Sequence, residues 1–175
     1  GRARPGGPSL QSATLARKLP RPLSQGVHEL ARRERATPFM VLLAAFKLLL
    51  ARWSGRDDIA LGVPVAGRDH PQIENLVGCF VNTVVMRTRV NPEGTYRELL
   101  EDVRETTLGA LAHSDQPFQT LARHLHPLRG GAGNTLFRIF FNYLTPGRDQ
   151  PAVPGLHFDL IPSEDIRHKF DLTLY

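Results

Sequence analysis

GVPVAGRDHPQIENLVGCFVNTVVMR, residues 62–87, sets two apolar, β-prone runs on either side of a stretch that fits neither strand nor buried helix. Ile59, Leu61, Val63 and Val65 alternate into it as a strand should, and Pro64, which has no amide to give to a ladder, marks an edge or a strand end. GRDHPQIEN, residues 67–75, has the glycine, proline and charge of an exposed loop. LVGCFVNTVVMRTRV, residues 76–90, is rich in β-branched residues and predicts a strand with an irregular first part, where Gly78 marks a bulge or a close backbone approach.

Helices flank this pair. Upstream, Thr37 followed by Pro38 is a strong helix start and Gly55 a stop. The helix between them is apolar on most sides, which predicts a place between layers. Its most apolar run, residues 39–50, is interrupted by Lys47 and is shorter than the roughly 20 residues that span a bilayer. Ahead of it, Ser24 is a candidate cap for a helix to about Arg35, with Val27, Leu30 and Ala31 at helical spacing, and residues 12–19 read as a weak strand.

Downstream, Thr95 and Glu98 have capping-box spacing, and Leu99, Leu100, Val103, Leu108 and Leu111 supply a stripe to about Ala112. A turn at 113–115 leads to a shorter helix over 116–125, ended by Pro127 and a glycine-rich loop. Strand composition returns at 136–144, 156–161 and 170–175. Long helices mixed with strands, without regular strand-helix alternation, predict an α/β or α+β layered sandwich. Residues 1–23 read as a linker and a candidate first strand, and 24–175 as one structural unit. The Gly/Pro/Arg-rich opening and the halt on a strand at Tyr175 are expected of a piece of something longer.

With 41% hydrophobic and 22% charged residues in 175, the chain has the composition of an ordinary globular domain. Net charge is +5, and nineteen of the 22 basic residues are arginine, a balance that favours acidic partners. The arginines are dispersed. Only Arg32, Arg33 and Arg35 cluster, on a helix without the aromatic interleaving of a single-strand binder, so no nucleic-acid partner is expected. One cysteine suits a reducing compartment, and the expected location is the cytoplasm, with no membrane partner.

Self-contained chemistry is hard to find. The histidines show no metal-ligand spacing, and His124 and His126, two apart on a helix, diverge. His113, Ser114 and Asp115 superficially suggest a triad, but neighbours in a turn rarely reach the needed geometry, and helix capping by Ser114 or Asp115 explains them better. Cys79, among Val77, Phe80 and Val81, reads as a buried and inert thiol. Gly130, Gly131 and Gly133 lack the lysine-hydroxyl pair of a phosphate loop.

Four segments in order nevertheless resemble the C-terminal lobe of the condensation domains of nonribosomal peptide synthetases, members of the chloramphenicol acetyltransferase-like superfamily. The stretch at 62–87 is similar to the family's GxPVAGR, acidic segment and glycine-phenylalanine-VNT strand. HSDQPFQTL at 113–121 resembles HxDxPFExL, with Gln119 in place of glutamate. ARWSGRDDIALG and KFDLTLY match two further elements. LRGGAGNTLFRIFF, residues 128–141, departs from an RDxSxNPLFQ-like stretch: Arg129, Asn134, Leu136 and Phe137 agree, while Gly130 and Thr135 replace the aspartate and proline.

The resemblance implies a half-domain with a mixed sheet flanked by helices. It implies a tunnel in which acyl groups on the phosphopantetheine arms of upstream and downstream peptidyl carrier proteins are joined by an amide bond, with no cofactor bound directly. Residues 67–75 then belong to a loop flooring that tunnel. Gly67, Arg68, Asp69, Gly78, Phe80, Asn82 and Thr83 are the candidate floor and wall, and His113, Asp115, Pro117, Phe118, Arg129 and Asn134 are motif residues with structural roles. The family's HHxxxDG histidine belongs to the N-terminal lobe, the expected partner of this one, and nothing in this sequence matches it. The piece is therefore expected to be inactive alone. The VNT strand favours condensation over epimerisation, and a catalytically inactive relative that recruits a partner protein stays open as an alternative.

Overall fold

The computed structural model describes residues 13–68, 70–125, 136–144, 155 and 170–175. Five helices and four strands run in the order α1 (Arg21–Arg33), α2 (Pro38–Ser54), β1 (Asp58–Val65), α3 (Pro71–Glu74), β2 (Asn82–Arg89), α4 (Tyr96–Ala112), α5 (Phe118–Leu125), β3 (Ile139–Phe141) and β4 (Leu172–Leu174) among the described residues. The sheet is mixed, in the order β2-β1-β3-β4, with β1 antiparallel to β2 and parallel to β3.

Thr37 starts α2 as expected, its hydroxyl accepting from the Met40 amide at 3.2 Å, and Gly55 ends it in the left-handed region at φ 69°. The capping box of α4 is equally literal: the Thr95 amide donates to Glu98 Oε2 at 2.7 Å and the Glu98 amide to Thr95 Oγ1 at 3.3 Å. Ser24 does not cap α1. The helix begins three residues earlier because Pro22 fits the first turn, and the Ser24 amide already bonds the Pro20 carbonyl at 3.1 Å. Residues 13–20 form no strand, and Leu15 and Leu19 are exposed.

Both long helices lie on one face of the sheet, where Ile59, Leu61 and Val63 of β1 and Val84 and Met86 of β2 meet Leu43, Ala44, Leu100 and Val103. The stripe of α4 continues through Thr107 and Ala110, not through Leu108 and Leu111, which are exposed. Spacing of three and four from Val103 reaches 107 and 110, and a buried threonine is tolerated because its hydroxyl donates back to the Val103 carbonyl at 2.7 Å. On α2 the expected burial is incomplete: Ala45, Leu49 and Trp53, spaced by four, face outward. Tyr96 ties the two helices, its hydroxyl donating to the Val41 carbonyl at 2.7 Å, and Arg97 grips Glu34 beyond the end of α1 with two 2.9 Å bonds.

Pro64 lies in a central strand, at its end. The Val90 amide bonds the Asp57 carbonyl at 2.7 Å, so with the β1–β2 register the odd residues of β1 bond to β2 and the even ones face β3. The β3 pairing occurs at Gly62, and Pro64 lies beyond it, so its missing amide costs no ladder bond. The strand expected over 136–144 shortens to Ile139–Phe141. Phe137 instead lays its ring over Gly62, where a Cβ would sit 2.3 Å from the ring. The strand expected at 156–161 lies outside the described residues.

Candidate functional site

Between β1 and β2 the chain is organised by Arg68. Its Nη1 lies 2.6, 3.2 and 2.9 Å from the carbonyls of Ile73, Glu74 and Leu76, its Nη2 donates to the Gly78 carbonyl at 3.1 Å, and the guanidinium stands 4.5 Å from the centre of the Phe80 ring. A planar fork with five donors suits this task as no ammonium would. Residues 67–75 are not all loop: α3 forms a single turn, with His70 Nδ1 accepting from the Gln72 amide at 3.3 Å. Gly67 sits at φ 62°, and a Cβ there would fall 2.1 Å from the Phe80 carbonyl oxygen. Only glycine satisfies both conditions. Gly78 is no bulge in a ladder, because β2 begins only at Asn82, but the close approach is there: a Cβ would fall 3.0 Å from the Phe80 ring, and the Gly78 carbonyl accepts from Arg68.

Held by these contacts, residues 76–81 present apolar side chains outward. Val77 is fully exposed, and Leu76 and Val81 are more than half exposed. Cys79 is exposed as well, which corrects the expectation of a buried thiol: the apolar neighbours that implied a core are themselves on the surface.

Asn82 joins the two family motifs. Its Nδ2 donates to the carbonyls of Ser114 and Gln116 at 2.8 and 2.7 Å, and its Oδ1 accepts from the Phe118 amide at 3.1 Å. A strand residue over thirty positions away therefore caps the start of α5, because an asparagine side chain both accepts and donates and can hold the turn and the helix start together. Phe118 packs on Phe137 with ring centres 5.5 Å apart, and the Pro117 carbonyl accepts from the Thr120 and Leu121 amides at 3.0 and 3.2 Å. His113 Nδ1 lies 2.9 Å from the Gly109 carbonyl, which can only accept, so that nitrogen carries the proton and the ring faces its own helix. Asp115 is exposed, and Thr83 pairs with Pro64. Asp69, Arg129 and Asn134 lie outside the described residues.

Lys47 has a larger part than an interruption in an apolar run. Its side chain is fully buried, with Nζ donating to Thr88 Oγ1 at 2.6 Å and to the Met86 carbonyl at 3.0 Å. Burial pushes its pKa down to about 7, against the smaller opposing effect of the Asp58 carboxylate. The available signal was a lone lysine inside an otherwise apolar helix.

A mixed sheet carrying its long helices on one face, with a braced apolar segment between its two longest strands, defines a layered α/β fold. A family model described as the condensation domain matches residues 2–175. Tyrocidine synthase 3 of Brevibacillus parabrevis is 38% identical over 174 residues, covering 98% of this chain and 3% of that protein. The first condensation domain of the CDA synthetase superposes with a TM-score of 0.64 at 28% identity, over 73% of this chain and 29% of that one. In the complex of the X-domain and OxyB from teicoplanin biosynthesis, the match reaches a TM-score of 0.81 over 98% of this chain and 37% of the other, at 23% identity, a likeness of fold. The chain belongs to the condensation-domain family of nonribosomal peptide synthetases, and it spans only a small part of the relatives it matches.

Proposed function

We propose that this chain is the C-terminal lobe of a condensation domain and supplies the floor and one wall of the tunnel in which acyl groups on two carrier proteins are joined by an amide bond. The observation that supports this most is the braced segment at 76–81. Leu76, Val77 and Val81 stay in solvent although Arg68, Gly67 and Phe80 fix the backbone beneath them, at the cost of ordering a loop around one side chain. Such a surface is prepared for an apolar covering, and the other lobe together with a pantetheine-borne acyl chain provides one. The segment is apolar, and in this reading, as the family resemblance implies, the histidine that positions the attacking amine belongs to the other lobe. The carrier proteins are the partners, and their pantetheine arms bring the substrates.

A single-turnover assay with two loaded carrier proteins tests this. The purified 175-residue chain yields no dipeptidyl product, whereas the intact parent domain yields it. Product from the chain alone would overturn the reading. A parent whose own sequence carries a degraded HHxxxDG segment, and which yields no product, would support the recruiting alternative instead.

A further inference from the structure

Val65 and Asn82 face each other across the ladder, so the excursion between them leaves and returns at one point, and Gly67 meets the Phe80 carbonyl beside it. Closed at its ends and packed on itself, the excursion has the character of an Ω-loop. Among the described residues, the hydrogen bonds of 70–81 run within the excursion or to Arg68. The Ile73 amide reaches the His70 carbonyl at 3.0 Å and the Leu76 amide the Ile73 carbonyl at 3.2 Å, which closes the single turn of α3. Beyond that turn, the described polar contacts are the Leu76 and Gly78 carbonyls on the Arg68 fork, with the Phe80 ring under its face. These residues flank the exposed side chains of Val77 and Val81, and Leu76 carries a third. With its terminal nitrogens on four carbonyls and its face on a ring, the half-buried guanidinium is engaged inside the excursion and offers little to a ligand.

We propose that Arg68 is a positioning residue for amide-bond formation: it touches no reacting atom, and by holding the backbone at Leu76 and Gly78 it sets the height at which Leu76, Val77 and Val81 support the acyl chain. This rests on the tunnel reading above. Arg68 then governs the rate within the bound complex and not the affinity of the carrier proteins, which dock through their own protein surfaces while the floor meets only the acyl end of the pantetheine arm. Misplacing a reacting group by about 1 Å can cost on the order of 100-fold in rate. Lysine, a point charge on a flexible stem, cannot hold carbonyls of several residues at once as the planar fork does.

The test uses the intact parent domain with its two carrier proteins bearing their own aminoacyl groups, in single-turnover runs over a range of carrier concentration. Arg68→Lys is expected to lower the saturating rate roughly tenfold or more, while the half-saturating carrier concentration stays within about twofold and the melting temperature moves little. Val77→Asp, which leaves the clamp intact and alters the floor itself, is expected to lower the same rate. A loss confined to the half-saturating concentration, or one that tracks the fraction of protein melted, would overturn the role of Arg68. Slowing by Val77→Asp and not by Arg68→Lys leaves the floor standing and removes the clamp from the reaction. Slowing by Arg68→Lys alone means that Arg68 acts on the substrate directly and not by positioning. If neither change slows the reaction, or the parent forms no product, the tunnel reading fails together with the proposal.

Discussion

Replacing Lys47 by methionine should stabilise this fold at neutral pH and remove much of its pH dependence. The unfolded lysine holds its proton up to its ordinary value of 10.5, while the native one, desolvated between α2 and β2, releases it above about 7. Between those values the unfolded state binds more protons, so stability climbs with pH, by up to about 1.4 kcal/mol per unit, and levels off above the unfolded value. Below pH 7 both states are protonated and the whole cost is present, on the order of 5 kcal/mol across the interval. Methionine removes that cost and gives up two hydrogen bonds, each worth about 1 kcal/mol net. Their partners are not stranded. The Thr88 hydroxyl keeps Thr106 Oγ1 at 3.3 Å, and Met86 keeps its place in the ladder opposite Leu61. The net expectation at pH 7 is a gain of about 1–4 kcal/mol. Urea unfolding of both proteins between about pH 6.5 and 9.5 reads it: the difference should be largest at the acid end and shrink as pH rises. A constant difference across the window, or a variant less stable throughout, would refute the reasoning.

Three further changes probe the site. Asn82→Ala removes three hydrogen bonds and should cost about 2–3 kcal/mol, with faster amide exchange concentrated at the turn after α4 and in α5. Gly67→Ala, which drives a Cβ to 2.1 Å from the Phe80 carbonyl at a φ of 62°, should cost more than about 2 kcal/mol or force the loop into another path, visible as a changed exchange pattern over 70–81. Arg68→Lys keeps the charge and loses the fork, so limited proteolysis should cut within 70–81 in the variant and not in the parent chain, while the melting temperature moves little.

Local chemistry made much of this fold readable. Thr37-Pro38, Gly55 and the Thr95–Glu98 box acted on their own neighbours, and the β1 alternation survived because one face is buried. Contacts between distant segments were hidden. Nothing around Asn82 announces that it caps a helix 36 residues on, and nothing around Arg68 counts the carbonyls that converge on it. Cys79 misled because apolar neighbours in sequence imply burial only when another layer covers them, and here no described residue does. Motif resemblance found Gly67, Arg68 and Asn82, while their physical roles, a forbidden Cβ, a carbonyl clamp and a remote cap, depend on segments that only the fold brings together.

The claim that residues 67–83 form the floor and wall of an acyl tunnel is tested most directly by photocrosslinking. Carrier proteins bearing a diazirine on an acyl-pantetheine analogue would be irradiated with the intact parent domain and the modified peptides located by mass spectrometry. The account predicts labelling on this lobe concentrated at 76–83. Labelling confined to α1, the outer face of α2 or β4 would contradict it.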